Sequence, residues 1–331
     1  SPALLAMSRE GRAVAGEALV ENATPRFVPA LTALLDAGEA ELAEVAVRAL
    51  GRTQCADAIA PLMRALDDDG LSAAAARALT FLGQTFPAAV RQALAARVEQ
   101  APLQPHLVRA WANVAGPQAL PVLRRALHHE SDAVRAAAAQ VAMVAPVEAA
   151  GLLGMAVVDE SPRVRRGAAR AVSGLQPNEG RALLERLLDD REPSVLSLAC
   201  TAAMERGAMW AAPRLQALVT HADAAVVLAA VQAAMVLGAA DDALLTRALA
   251  HPDGEVVKQV LTEGASSRAV VEAAAWALSD PRWDVRAAAA RTLEVGGGPE
   301  HVELLTAAAR SEADPLAHQA LLAAIKSLGA R

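Results

Sequence analysis

The stretch SDAVRAAAAQVAMV, Ser131 to Val144, contains four consecutive alanines and almost no reactive side chain. A near-copy, WDVRAAAARTLEVG, occupies Trp283 to Gly296, and a looser copy, SPRVRRGAARAVSG, occupies Ser161 to Gly174. In each copy, small or apolar residues stand at positions +4, +5, +7 and +8 from the valine of the VR pair. That spacing is typical of a helix with one buried face.

The same pattern starts from ten anchor residues, each taken as position zero of its copy. Successive anchors lie 27–36 residues apart, with a mean of about 30, a period typical of stacked supersecondary units. They are Leu42, Leu71, Leu107, Val134, Val164, Val195, Val226, Val256, Val285 and Leu316. A second apolar segment precedes the anchors, for example ALPVLRRALHH and RALLERLLDD. The pattern therefore predicts an all-α chain in which each repeat is a first helix, a short turn and a second helix.

The repeats resemble the HEAT-repeat family, in particular its short bacterial form called PBS-lyase HEAT-like. The resemblance is carried by AIAPLMRALDDDGLSAAAARALTFLG, ALPVLRRALHHESDAVRAAAAQV, DESPRVRRGAARAVSGL and DPRWDVRAAAARTLEV. It implies a right-handed α-solenoid (superhelix) of about ten two-helix repeats, whose concave face is lined by the second helices and is the usual binding surface. We expect one continuous repeat domain over residues 24–331, preceded at 1–23 by an N-terminal capping helix or a degenerate half-repeat.

Composition favours a soluble chain without a cofactor. Alanine and leucine must build most of the interior, because aromatic residues make up only 2% of the 331 residues. A net charge of -6 gives no general reason to expect nucleic acid as a partner. Apolar runs are too short to predict a membrane span, and the two cysteines have no CxxC neighbour that would predict zinc or a disulfide. We therefore predict a cytoplasmic protein with no metal, and the resemblance to the short bacterial repeats implies a bacterial source.

Catalytic motifs such as GxSxG, HExxH and the P-loop are absent from the sequence, which predicts that the chain is not an enzyme. Deoxyhypusine hydroxylase has a similar architecture and binds iron through several His-Glu pairs, whereas this chain has only His129-Glu130. The alternative is a ligand-handling or catalytic HEAT-like protein, either bilin-lyase-like or alkylpurine-DNA-glycosylase-like. The glycosylase fold needs a basic groove with aromatic residues for the extruded base. This alternative predicts a pocket in which the four tryptophans converge.

The tryptophans receive different interpretations. Trp111 and Trp276 fall on apolar stripes, where packing in the core is expected. Trp283 is placed in a turn just before a helix, where it is a candidate hot spot for binding. Its alternative interpretation is simple packing within the loop.

Two further patterns predict how the repeats are held together. Each arginine after an anchor is expected to pair with an acidic residue upstream in the same repeat, in an inter-repeat ladder. The expected pairs are Arg135 with Asp132, Arg165 with Asp159, and Arg286 with Asp280. A glycine follows nearly every second helix, as at Gly51, Gly83, Gly207 and Gly238, where a left-handed conformation would close the helix.

Position +6 of the second helices supplies the candidate binding residues. Nine of the ten positions are polar, while +4 and +5 stay small or apolar. They are Arg48, Arg77, Asn113, Gln140, Arg170, Thr201, Gln232, Thr262 and Arg291, with Leu322 as the exception. One such residue per repeat would form a ridge on the concave face, which predicts a scaffold or adaptor that binds another protein or peptide. The alternative is a merely solvated helix face, on which Gln140 is expected to be exposed and tolerant of substitution.

Overall fold

The computed structural model describes residues 9–37, 39–100 and 102–330. These residues form α-helices joined by turns and short 3-10 helices, and they include no β-strand, so the all-α prediction is confirmed. The α-helices, in chain order, are α1 Arg9–Glu21, α2 Val28–Asp36, α3 Ala40–Arg52, α4 Ile59–Ala65, α5 Ser72–Thr85, α6 Pro87–Gln100, α7 Pro105–Ala115, α8 Leu120–Leu127, α9 Asp132–Gln140, α10 Ala149–Ala156, α11 Pro162–Ala171, α12 Pro177–Leu188, α13 Pro193–Glu205, α14 Ala212–Leu218, α15 Ala224–Val236, α16 Asp242–Leu249, α17 Gly254–Glu263, α18 Arg268–Ala277, α19 Trp283–Gly296, α20 Val302–Ser311 and α21 Pro315–Gly329.

The chain divides into two compact units, Ser1–Gly180 and Arg181–Arg331. In the first unit, the odd-numbered helices α1, α3, α5, α7, α9 and α11 pack on one another in chain order. In the second unit, α13, α15, α17, α19 and α21 do the same. The even-numbered helices other than α12 each pack against the odd-numbered helix that follows, so the helices of each unit pack sequentially. None of the described helices is both long and apolar enough to cross a bilayer.

The alanine positions form the interface between successive second helices. Ala138 and Ala139 in α9, and Ala289 and Ala290 in α19, are completely buried. One close approach is at Gly167 in α11, where a methyl group would lie 3.0 Å from the carbonyl oxygen of Ala136 and 3.2 Å from the Cβ of Ala139. Small side chains at these positions allow the helix backbones to approach closely, because protein interiors leave no room for larger ones.

The prediction that glycines close the second helices is confirmed for Gly207 and Gly238, which have positive φ, and was wrong for Gly51 and Gly83. Gly51 lies inside α3 and Gly83 inside α5, where a methyl group would meet the Cβ of Ala78 at 2.8 Å and the Cγ2 of Val114 at 2.9 Å. These glycines therefore serve close packing against the next second helix. Positive φ is found at three glycines of the described residues, Gly116, Gly207 and Gly238.

The arginine ladder exists, but its acidic partners come from the turn of the following repeat. Arg135 donates from Nε and Nη2 to the two carboxylate oxygens of Asp159, at 2.8 and 3.0 Å. Its Nη1 donates to the carbonyl oxygens of His129 and Glu130, in the turn of its own repeat. The prediction of Asp132 as the partner was wrong, because one Asp132 oxygen accepts instead from the hydroxyl of Ser161 at 2.8 Å.

The other two predicted pairs are corrected in the same way. Arg286 forms a bidentate pair with Glu312 at 2.6 and 2.7 Å, whereas Asp280 offers it only a backbone carbonyl oxygen at 2.9 Å. Arg165 likewise donates to the backbone carbonyl of Asp159, not to its carboxylate. Each guanidinium thus donates to backbone carbonyl oxygens of the turn in its own repeat. For Arg135 and Arg286, a carboxylate in the turn of the next repeat accepts two further hydrogen bonds.

The Glu312–Arg286 pair predicts a pH-dependent contribution to stability. The Glu312 side chain is only 2% exposed, and hydrogen bonds from Arg286 lower its pKa from 4.5 to about 2. A lowered folded-state pKa stabilises the protein above the unfolded value and loses that stabilisation as the pH falls toward the folded value. We expect Glu312→Gln to lower the free energy of unfolding by about 1.5 kcal/mol at pH 7.

The test is urea unfolding of wild type and Glu312→Gln at pH 7, 4.5 and 3. The difference between the two proteins should shrink between pH 4.5 and 3, because the Glu312 carboxyl of the unfolded wild type becomes protonated there while that of the folded protein stays ionised. A difference that stays constant over this range would show that the charge of Glu312 does not stabilise the fold.

Candidate binding surface

The predicted +6 residues lie on the second helices, and most of them reach solvent. Six are exposed, namely Arg77, Asn113, Arg170, Gln232, Thr262 and Arg291. Three are half-buried, namely Arg48, Gln140 and Thr201. The exposed members therefore remain candidates for binding, whereas the half-buried ones are partly used within the protein.

Internal contacts account for the half-buried residues. Arg48 donates to both carboxylate oxygens of Glu17, at 2.7 and 2.8 Å, and so ties α3 to α1. Gln140 accepts two hydrogen bonds from Arg109 through its Oε1, at 3.0 and 3.2 Å. The expectation that Gln140 is freely exposed was therefore wrong. Thr201 donates its hydroxyl to the carbonyl oxygen one turn earlier in α13.

A groove of about 300 Å³ lies between α5 and α7 in the first unit. Its lining residues are Ala73, Ala76, Arg77, Thr80, His106, Arg109, Ala110 and Asn113. Two of these, Arg77 and Asn113, belong to the predicted +6 set. His106 and Arg109 were missed, because they stand at positions −1 and +2 of their repeat, on the same side of α7 as Asn113.

Two arginines make this groove electrostatically positive. Arg109 uses Nε and Nη2 on the neutral Gln140, and no carboxylate of the described residues lies within 4 Å of Arg77 or Arg109. Burial lowers the pKa of Arg109, and the neighbouring positive charge of Arg163 lowers it further. Burial also lowers the pKa of His106, with Arg109 as the second cause and Asp69 opposing. The Nε2 atom of His106 is buried without a hydrogen-bond partner.

A second groove, of about 340 Å³, adjoins the first on the other side of Arg77. It lies between α3 and α5 and includes Arg48, Arg52 and Phe81 among its lining residues. Phe81 is 42% exposed, so this groove offers an apolar surface beside its arginines. Arg77 lines both grooves, which therefore form neighbouring parts of one surface in the first unit.

Trp283 is the first residue of α19 rather than part of the preceding turn, and it is 42% exposed. Its groove, of about 560 Å³, is bordered by charges that neutralise one another. Arg282 pairs with Asp284 at 2.7 Å and also with Glu255, and Lys258 pairs with Asp284 at 3.0 Å. These hydrogen bonds hold the pKa of Asp284 well below its usual range. Trp283 thus remains a candidate hot spot among internally paired charges.

The other tryptophans lie in dissimilar environments. Trp111 in α7 is buried, as its apolar stripe predicted. Trp276 in α18 is 86% exposed, so its assignment to the core was wrong. Trp210 is half-buried beneath the guanidinium of Arg181, 4.9 Å from the ring centre. Four tryptophans on separate elements, with such different burial, give no support to a shared aromatic pocket.

The histidines next to the turns accept backbone hydrogen bonds. His129, His221 and His251 each accept, through Nδ1, from the backbone N–H two residues later, at 2.9–3.0 Å. Asp159 and Asp280 do the same in other repeats through a carboxylate oxygen. The His129-Glu130 pair thus has a structural explanation, and no cluster of three or more potential metal ligands occurs among the described residues.

The cysteines are free thiols. Cys55 is half-buried, and Cys200 is buried within α13. Burial raises the pKa of Cys200 to about 12, which keeps it in the unreactive thiol form at neutral pH.

Comparison with known proteins adds little to this surface. No family model matches the chain, and no curated protein matches it. Among solved structures, an engineered protein is 21% identical, with a TM-score of 0.37 over 98% of this chain and 97% of its own. The YibA protein of Escherichia coli is 16% identical, with a TM-score of 0.42 over 98% of each chain. TM-scores this low carry no argument about fold or function.

Proposed function

We propose that this chain is a non-enzymatic interaction scaffold of the HEAT-repeat type that binds another protein along the face of its second helices. The proposal includes a right-handed solenoid of about ten two-helix repeats in a bacterial cytoplasm. It is supported by second helices that pack in chain order within each unit and recur about every 30 residues.

One observation carries the proposal, namely the exposed arginines of the +6 set. Arg77, Arg170 and Arg291 are exposed, and none of them forms an ion pair with a described residue. Arginine is enriched at protein interfaces, because its planar guanidinium binds carboxylates in a bidentate manner and its stem packs against apolar surface. These three arginines on second helices are therefore free of ion pairs within the described part of the chain and can bind carboxylates of a partner.

The experiment compares two triple charge reversals of equal size. The test protein carries Arg77→Glu, Arg170→Glu and Arg291→Glu on second helices. The control carries Arg124→Glu, Arg186→Glu and Arg310→Glu, which are exposed arginines of the first helices α8, α12 and α20. Each tagged protein is incubated in a native lysate and crosslinked, and the captured proteins are identified by mass spectrometry.

We expect the second-helix variant to lose the partner that wild type and the first-helix control retain. All three proteins should keep the same helicity and melting temperature, since the substituted side chains are exposed. Equal capture by both variants would remove the second-helix face as the binding surface.

A further inference from the structure

Four second helices of the first unit, α5, α7, α9 and α11, carry an unbalanced positive charge. Helices α5, α7, α9 and α11 together contain seven arginines and one carboxylate, that of Asp132, in a chain whose net charge is -6. Arg135 and Arg165 are buried and bonded to turn carbonyls, so they belong to the ladder. Asp132 lies 3.9 Å from Arg163 and can neutralise little more than that one residue.

The other four arginines of these helices are not paired with a carboxylate of the described residues. Arg77, Arg109, Arg166 and Arg170 form no ion pair with any described residue. Burial lowers the pKa of Arg109 in α7, and the positive charge of Arg163 in α11 lowers it further, so the charges of these two helices act on one another. An anion placed among them would oppose this effect, since opposite charge nearby favours the charged form of each group.

The shape of the α5–α7 groove suits a carboxylate on a slender chain. Ala73, Ala76 and Ala110 contribute only methyl groups to its walls, so the backbone of a bound segment could approach closely. Arg77 and Arg109 supply charged donors, and Asn113 supplies an amide donor beside them. A Glu or Asp side chain fits both the charge and the volume of about 300 Å³.

The distance over which these arginines extend matches the length of a short extended peptide segment. From α5 to α11 there are three steps between packed helices, each of about 8–10 Å, so the arginines extend over roughly 24–30 Å. An extended chain advances about 3.3 Å per residue, and about seven to nine residues would therefore reach from one end to the other. We infer that this surface binds an extended acidic segment of the partner protein, with one of its carboxylates in the α5–α7 groove.

The lining residues favour an acidic peptide over nucleic acid. The groove has no Trp, Tyr or Phe side chain on which a base could stack, and no lysine. The inference rests on the proposed function, since Arg77 and Asn113 are members of the second-helix face.

The test measures fluorescence anisotropy with three fluorescein-labelled probes at 50 mM salt. The first is a ten-residue peptide of alternating Glu and Gly, the second has Gln in place of Glu, and the third is a ten-nucleotide oligothymidylate. The proteins are wild type, Arg77→Gln, Arg109→Gln and the first-helix control Arg124→Gln. Arg77 has no hydrogen bond to lose, so this variant tests the charge alone.

We expect wild type and Arg124→Gln to bind the Glu peptide equally and the Gln peptide not at all. Arg77→Gln and Arg109→Gln should each raise the Kd at least about tenfold, the effect of losing one charge-assisted hydrogen bond. The inference is overturned if the Glu peptide fails to bind, if the Gln peptide binds as well, or if both variants bind as wild type does. Tighter binding of oligothymidylate would overturn it in favour of nucleic acid.

The outcomes also separate this inference from the proposed function. If the Glu peptide does not bind but the triple second-helix variant still loses its captured partner, the scaffold proposal stands and the acidic segment is rejected. If the Glu peptide binds through Arg77 and Arg109 while capture is insensitive to the triple variant, the scaffold proposal fails and the groove remains an acidic-peptide site.

Discussion

Replacing Arg135 with alanine is expected to lower the free energy of unfolding by about 3–5 kcal/mol, the cost of removing one partner from a buried ion pair. The Arg135 side chain is 11% exposed, and that of its partner Asp159 is 13% exposed. Loss of the guanidinium leaves the Asp159 carboxylate without its cation, and the carbonyls of His129 and Glu130 without their shared donor. Urea unfolding at pH 7, followed by circular dichroism at 222 nm, measures the change.

Two further variants identify the cause of that loss. Arg135→Lys keeps the charge but cannot form the fork to Asp159, so we expect it to recover only a minor part of the stability. Arg268→Ala is the matched control, because Arg268 also forms an ion pair, with Glu272, but the pair lies at the surface, with side chains 89% and 64% exposed. Its unfolding curve should coincide with that of wild type. An Arg135→Ala protein that unfolds at the wild-type urea concentration would show that the ladder contributes no stability.

The ladder illustrates what local sequence spacing can and cannot predict. The recurrence of an arginine one residue after three of the ten anchors correctly predicted a structural role for these side chains. The partner was wrong, because Asp132 is only three residues from Arg135 in sequence, whereas Asp159 approaches it through the stacking of the next repeat. The distance between stacked turns depends on how closely the second helices approach, and spacing within one repeat does not contain that information.

The buried positions were largely predictable, and the helical phase explains the exception. Positions +4 and +5 are small residues because the backbones meet there, as the complete burial of Ala138 and Ala139 shows. Trp276 was assigned to an apolar stripe, but the buried residues of α18 are Val270, Val271 and Ala274. Trp276 is two residues after Ala274, which at about 100° per residue places it on the opposite side of the helix. Counting the phase, rather than the apolar character alone, would have placed Trp276 at the surface.

The sequence predicted the row of +6 residues on the second helices, but it did not predict the groove between α5 and α7. Counting only position +6 found Arg77 and Asn113 and missed His106 and Arg109, which lie on the same face of α7. A comparison of acidic and basic residues on each second helix would have drawn attention to α11, which holds four arginines and no acid. The pairing of Arg109 with Gln140 depends on the packing of α7 against α9, and it requires the structure.

Gly167→Leu is expected to lower the free energy of unfolding by about 2–3 kcal/mol, near the upper end of the usual cost of overpacking a core. Gly167 is buried in α11, and the nearest atoms to an added methyl group are the carbonyl oxygen of Ala136 at 3.0 Å and the Cβ of Ala139 at 3.2 Å. A backbone oxygen and a helix-borne Cβ cannot rotate away, so a larger side chain must separate α11 from α9. Urea unfolding of this variant measures the cost of that separation.

Gly151→Leu provides the control with the opposite expected sign. Gly151 is exposed in the interior of the preceding helix α10, and an added methyl group there meets no atom within 4 Å. Because leucine is the better helix former, this variant should gain about 0.5–1 kcal/mol. If the close approach of α9 and α11 requires glycine at position 167, Gly167→Leu should destabilise the protein while Gly151→Leu stabilises it. Equal gains in both variants would show that the two second helices can move apart freely, which the interdigitated alanines of α9 and α11 make physically costly.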